Sequence, residues 1–294
     1  MLVVTTSHSK LLPKTKTPKP VNVPAVAIAI TLVTLGLVMS FVQEIMQAPL
    51  YIQASLTPTK KPARPDFAQY DQLLKTFAKG GRVDYSQLKQ SPLLAAAMAE
   101  LAGNSPENFK SLDDTISYWL NAHNLIAIKV VCDEYPVTMP LKLKREFIDR
   151  RFVVGGKALS AEAIYSDYIH PKLIEKRKDK AVQADTIMLL CRGAIGYPEI
   201  TDHAITAETL RADVASNTDK FVHNKTNVDY QPSEHFFAIS KFFQMYRDVF
   251  GQGFEDPWAF AIYYLDRLDQ VPYEPRLTKT FIQTFNWSIN DTSH

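Results

Sequence analysis

The sequence predicts an α+β fold: a helix-rich single domain with a small β-sheet, preceded by one transmembrane or signal-anchor helix. Three observations lead there. Apolar residues recur at helical spacing in segment after segment. A Gly-Gly pair, Gly155-Gly156, joins two short stretches in the manner of a hairpin turn. Residues 23–42, VPAVAIAITLVTLGLVMSFV, carry no charge at all.

Residues 1–22 contain Lys10, Lys14, Lys16 and Lys19 and no acid. As a helix, the 20 residues from Val23 to Val42 span about 30 Å, the thickness of a bilayer's hydrocarbon core. Pro24 stands near the start, where a helix tolerates it. A cleaved signal peptide has an apolar region of about 7–15 residues, so the longer run favours an uncleaved anchor. Cleavage after Ala54, giving a secreted domain, is the alternative. Basic flanks tend to remain cytoplasmic. The expected arrangement is single-pass in the inner (cytoplasmic) membrane, with the N-terminus cytoplasmic and the domain periplasmic or extracellular. Residues 43–65 read as a Pro-rich linker, with Pro49 to Pro65 extended.

The globular part is residues 66–294. The whole chain has 46% apolar residues, 13 Tyr and 16 Phe, ample material for a core. Without the four N-terminal lysines, the 33 basic residues become 29 against 31 acidic ones. That near-neutral balance gives no reason to expect nucleic-acid binding. Two cysteines, Cys132 and Cys191, cannot make a disulfide framework or a four-ligand zinc site. A single bond between them stays open in an oxidising compartment.

The elements follow in order. Phe67, Tyr70, Leu73, Leu74 and Phe77 mark a helix that Gly80-Gly81 stops. Ser91 caps a second helix with Pro92 at its first position and Gly103 at its end. Residues 111–131, SLDDTISYWLNAHNLIAIKVV, form a helix apolar on nearly every side and therefore buried. Asn121, His123 and Asn124 lie in its middle and need hydrogen-bond partners there. Residues 151–157 read as a strand entering a hairpin, and Ser160 caps a helix after it. The apolar run 185–191 fits a buried strand, and residues 192–198 a loop. Thr206 caps a helix running to about His223. Residues 227–230 are extended. Residues 236–250 are one helix or a strand feeding a helix, and 258–268 are helical.

No P-loop, G-x-G-x-x-G, G-x-S-x-G or H-E-x-x-H is present. The seven histidines show no metal-ligand spacing, so neither a metal nor a cofactor is expected. Six segments, residues 70–85, 117–131, 152–164, 189–200, 239–251 and 285–291, together resemble the family called domain of unknown function 547, over about residues 66–291. The signature is Asn121-Ala122-His123-Asn124, with His where the family usually has Tyr. The resemblance implies a Glu-His pair, which falls on Tyr165-Ser166 here. It also implies a Ser-Cys-Pro, where this chain has Ile195-Gly196 and Tyr197-Pro198. Cys191 is retained.

Three functions follow as expectations. The first is a non-catalytic, membrane-anchored domain binding a peptide, glycan or protein of the cell envelope, with Asn121, His123, Asn124 and Arg192 as ligand-binding residues. The second is a thiol-dependent hydrolase or transferase, with Cys191 as nucleophile, His123 as base and Asn124 (or Asn121) as orienter. The third is an envelope scaffold using Phe242, Phe243 and Tyr246 as a surface. For Arg192 itself, an exposed surface arginine is the plainer reading.

Overall fold

The computed structural model describes residues 23–170, 186–250, 257–269 and 278–293. The chain divides into two units, residues 1–48 and 49–294. Helix α1 (Val23–Leu56) begins in the first. Its side chains at Ile28, Leu32, Val33, Leu35, Leu37, Val38 and Val42 are exposed. Among the described residues no helix is long and apolar enough to cross a membrane. The side chains of residues 23–27, 29, 30, 36 and 39–41 lie outside the described ones, as do Lys10, Lys14, Lys16 and Lys19.

The second unit opens with a correction. Residues 49–56 are the end of α1 rather than an extended tether, with Pro49 inside the helix. Burial explains the difference. Ala54 is buried with Val153 and Ala158, and Leu50 and Ala102 pack against that cluster. The helix ends before Pro58. Lys60 then pairs with Asn104, its N–H donating to Gly103 O (2.7 Å) and its carbonyl accepting from Ser105 N (2.9 Å).

Helix α2 (Ala68–Phe77) buries Tyr70, Leu73 and Leu74 at the predicted spacing. Gly80 and Gly81 do more than end it. They have positive φ (55° and 75°) and turn a two-residue hairpin, β1 (Ala78–Lys79) to β2 (Arg82–Val83). Glycine reaches this backbone region without steric cost. After a short α3 (Tyr85–Leu88), α4 (Pro92–Gly103) starts on Ser91, whose side chain accepts from Leu93 N. Central helix α5 (Leu112–Glu134) is capped by Ser111 Oγ, which accepts from Asp113 N and Asp114 N. It is buried from Ile116 to Ile128 without a break, and the rest of the unit is built around it.

A short α6 (Lys144–Asp149) leads to the predicted hairpin, β3 (Phe152–Val154) with β4 (Lys157–Leu159), pairing Phe152 with Leu159. Ser160 caps α7 (Ala161–Ile164) as expected, and the chain continues as a π-turn over Tyr165–Ile169. Residues 186–191 are buried, as read, but they are not a strand. Thr186–Leu189 is a 3-10 turn; Asp185 lies outside the described residues. Thr206 starts a turn that leads into α8 (Leu210–Val222). Strand β5 (Val228–Gln231) pairs antiparallel with β6 (Phe236–Ser240). The ambiguous segment is thus a strand feeding helices, α9 (Lys241–Met245) and α10 (Arg247–Phe250). Ser240 supplies the switch, its side chain accepting from Phe242 N. Helix α11 (Pro257–Asp269) follows. A strand that the sequence did not suggest, β7 (Lys279–Gln283), pairs parallel with β6. The architecture is helix-rich α+β with small sheets.

Phe242, Phe243 and Tyr246 are buried, packed with Phe221, Phe250 and Phe260. The expected aromatic surface is core. The C-terminal segment, residues 285–292, is sewn into the body by backbone hydrogen bonds. Ile195 N donates to Ser288 O, Gly196 N to Asn286 O and Asn290 N to Gly193 O (each 2.9 Å), and Ile289 N to Thr138 O (3.0 Å).

Candidate functional site

The three polar residues of α5 face different neighbours, and two of them act as clamps. Asn121 Nδ2 donates to Ile205 O (2.8 Å), and its Oδ1 accepts from Ile205 N (3.0 Å). Asn124 Nδ2 donates to Leu189 O (2.8 Å), and its Oδ1 accepts from Cys191 N (3.0 Å). Each side-chain amide takes the place of a neighbouring strand's backbone. This explains why 186–191 can be buried without joining a sheet: buried backbone groups need partners, and asparagines supply them. Asn217 of α8 adds a third bond, donating to Met188 O (3.1 Å).

His123 is fully buried. Its Nδ1 lies 3.2 Å from Asn124 Oδ1, and Arg192 Nε donates to its Nε2 at 3.4 Å. Those contacts require the Nδ1–H tautomer. Burial, then the Arg192 charge, hold its pKa down to about 3, against the pull of the Asn124 bond. His123 is a neutral bridge between Asn124 and Arg192.

Cys191 is buried and unbonded, as is Cys132; the two form no disulfide. Cys191 Sγ accepts from Asn290 Nδ2 (3.5 Å), whose Oδ1 in turn accepts from the Tyr85 hydroxyl (2.8 Å), and the Gly193 backbone N–H also points at the sulfur. Burial pushes the Cys191 thiol up to about 11 and Cys132 to about 12. Reactive cysteines need a lowered pKa and access. Here both ring nitrogens of His123 are engaged elsewhere, so no thiol–imidazole hydrogen bond is formed. The proposed nucleophile, base and orienter are neighbours, but their polar atoms are spent on holding the chain. Gly193, just beyond, has φ of 74°, and a side chain there would meet Val131 Cγ2 at 2.8 Å. The tight turn keeps Cys191 inward and carries the chain on to the outer loop.

Arg192 is the exception among the four predicted ligand residues. Its side chain is only 15% exposed, with Nη2 2.8 Å from Glu162 Oε2 of α7. The pair is close but off the hydrogen-bonding line, since Nη2 has no aligned acceptor. The guanidinium carbon lies 5.8 Å from the Tyr165 ring centroid. Burial opposes the charge, yet the Glu162 carboxylate beside it favours it, and the arginine stays cationic. Tyr165, where the resemblance implies an acid, supplies an aromatic face to Arg192.

Arg192 also lines a cleft of about 270 Å³. Lys144 of α6 and Lys241 of α9 add positive charge, and Glu162 is its acid. Phe147, Ile148, Met245 and Trp287 give it apolar walls. Leu141, Ile148 and Met245 remain exposed at its edge. Sequence reading missed Lys144, Lys241 and Glu162, because three different elements bring them to one place. Among the described residues no group of His, Cys, Asp or Glu is arranged to hold a metal ion.

Comparison with known proteins found no match among curated proteins and none among solved structures. A family model does match, over a stretch from the approach to α5 to the end of α8. The segments at 70–85, 239–251 and 285–291 lie outside that stretch. The resemblance read from the sequence therefore holds in its central part: residues 106–222, which carry Asn121, His123, Asn124, Glu162, Cys191 and Arg192, match the family described as protein of unknown function, DUF547.

Proposed function

We propose that this protein is a membrane-anchored, exported, non-catalytic domain that binds an anionic, partly apolar ligand of the cell envelope in the Arg192 cleft. The ligand best suited is a peptide chain end, with a carboxylate beside an apolar side chain. One observation carries the reading. A nearly buried guanidinium, whose Nη1 makes no hydrogen bond among the described residues, lines an apolar cleft next to Lys144 and Lys241. With Nε on His123 and Nη2 against Glu162, Nη1 is the donor left for a ligand carboxylate, and low-dielectric surroundings strengthen such a charge-assisted bond. The apolar walls supply area, and the cations supply orientation.

The binding assignment is tested by titrating the full chain, in detergent, with short peptides ending in an apolar residue. Arg192→Lys keeps the charge but loses the planar group that holds His123 and Glu162 while presenting Nη1, and Lys241→Gln removes a cation from the rim. Each variant should weaken binding at least tenfold for Arg192→Lys and severalfold for Lys241→Gln. Unchanged affinity in both contradicts the proposal.

The anchor rests on the 20 uncharged residues from Val23, the four lysines before them and the exposed apolar side chains of α1. Membranes washed at alkaline pH should retain the full chain in the pellet and release a form that begins at Pro49. Recovery of the full chain in the supernatant would remove the anchor from the account.

A further inference from the structure

Beyond the 191–199 loop from Arg192 lies a second cleft, of about 230 Å³. It is lined by side-chain amides: Asn217 of α8, Asn224 and Asn227 before β5, and Asn290 of the C-terminal segment. Two of these are more than nine-tenths buried, Asn217 (5% exposed) and Asn227 (6%).

Their hydrogen bonds leave a definite remainder. Asn217 Nδ2 donates to Met188 O (3.1 Å) and Glu199 O (2.8 Å), which fixes the amide and leaves its Oδ1 as an unused acceptor. Asn224 Oδ1 accepts from Thr226 N (3.0 Å) and Thr226 Oγ1 (2.8 Å), which leaves its Nδ2 as a donor. Asn227 spends only its backbone. Its N–H donates to Asn224 O (2.7 Å), and its carbonyl accepts from Ser240 N (2.6 Å). Its carboxamide makes no hydrogen bond among the described residues, and neither of its polar atoms is sealed from the cleft. Open to the cleft, that carboxamide is left to water in the free protein, and a ligand that matches its donor and acceptor can take the water's place.

The charged groups of the cleft are engaged. Lys220 pairs with Glu199 (3.3 Å), and Arg82 Nη1 donates to Asp291 O (3.4 Å). Phe221 and Tyr197 bring aromatic surface. Interleaved donors and acceptors beside aromatic rings, with the charges paired off, match a ligand whose own groups both donate and accept around an apolar ring face. A sugar ring has that chemistry. The cleft is smaller than the roughly 300–1,000 Å³ of drug-sized ligand sites, so it suits a single ring. We propose that this cleft is a saccharide-binding site that takes one sugar residue of a neutral glycan, with the Asn227 carboxamide as its central contact.

The test uses the full chain in a detergent without a sugar headgroup. Saturation-transfer NMR and calorimetric titration would be run with neutral oligomers of glucose and of N-acetylglucosamine, and with a blocked neutral tetrapeptide in parallel. At least one oligosaccharide series should bind at millimolar concentration. Asn227→Ala should weaken it at least tenfold. Because the Asn227 side chain holds nothing in place, that variant should melt at or above the wild-type temperature. Asn224→Ala serves as a second variant, with a severalfold loss. Absence of saturation transfer to every oligosaccharide overturns the proposal. So does binding that survives Asn227→Ala unchanged, or a cleft that takes the tetrapeptide in place of sugar.

Discussion

At the scale of single residues, the signature of α5 is a set of fasteners. Asn121 and Asn124 each give one donor and one acceptor to a backbone elsewhere in the chain. His123 sits between Asn124 and Arg192 as a neutral ring. That neutrality has a pH consequence. The folded pKa is held near 3, while an unfolded histidine titrates at about 6.5. Between those values only the unfolded chain takes up the proton, so stability from this residue is complete above pH 6.5 and is lost as pH falls toward 3. The slope approaches about 1.4 kcal/mol per pH unit. Urea midpoints measured from pH 6.5 to 5 should fall for wild type and fall less for His123→Phe. Parallel curves would show that His123 is not neutral in the fold.

Elements show where sequence reasoning succeeds and where it stops. Helices α2, α4 and α5 were legible because their spacing and caps are local: Ser91 and Ser111 sit where the polar-to-apolar pattern begins. The hairpin at Gly155-Gly156 was legible from its turn. The run 186–191 was not, because an unbroken apolar stretch specifies burial and leaves conformation to its partners. Those partners are Asn124 and Asn217, far away in sequence. Strand β7 was missed for a related reason. It is an edge strand with Lys279 to Ile282 all exposed, so no alternation marks it. Arg192 was read as a surface residue because its burial depends on Glu162 and Tyr165 of another element. The clamp account makes a prediction at this scale. Asn124→Ala should cost on the order of 3 kcal/mol, since two buried backbone groups lose partners. A loss below about 1 kcal/mol in chemical denaturation would mean the 189–191 segment does not depend on the clamp.

For the whole molecule, the division of labour runs outward from α5. The helix holds the 186–192 segment from within, and residues 285–292 hold the following loop from without. Cys191 is sealed between them, with Asn290 at its sulfur, and Arg192 is delivered to a cleft with two lysines. Where the resemblance implies catalytic groups, the chain has a tyrosine ring beside Arg192, Tyr165, and Ile195-Gly196, whose backbone N–H groups donate to Ser288 O and Asn286 O. A fold that fastens its cysteine and presents its arginine is suited to binding an anion. The most direct measurement compares the wild-type chain's affinity for one apolar-ended peptide as the free acid and as the C-terminal amide. The account predicts that the acid binds at least tenfold more tightly and that raising the salt concentration narrows the difference. Equal affinities for acid and amide would contradict it.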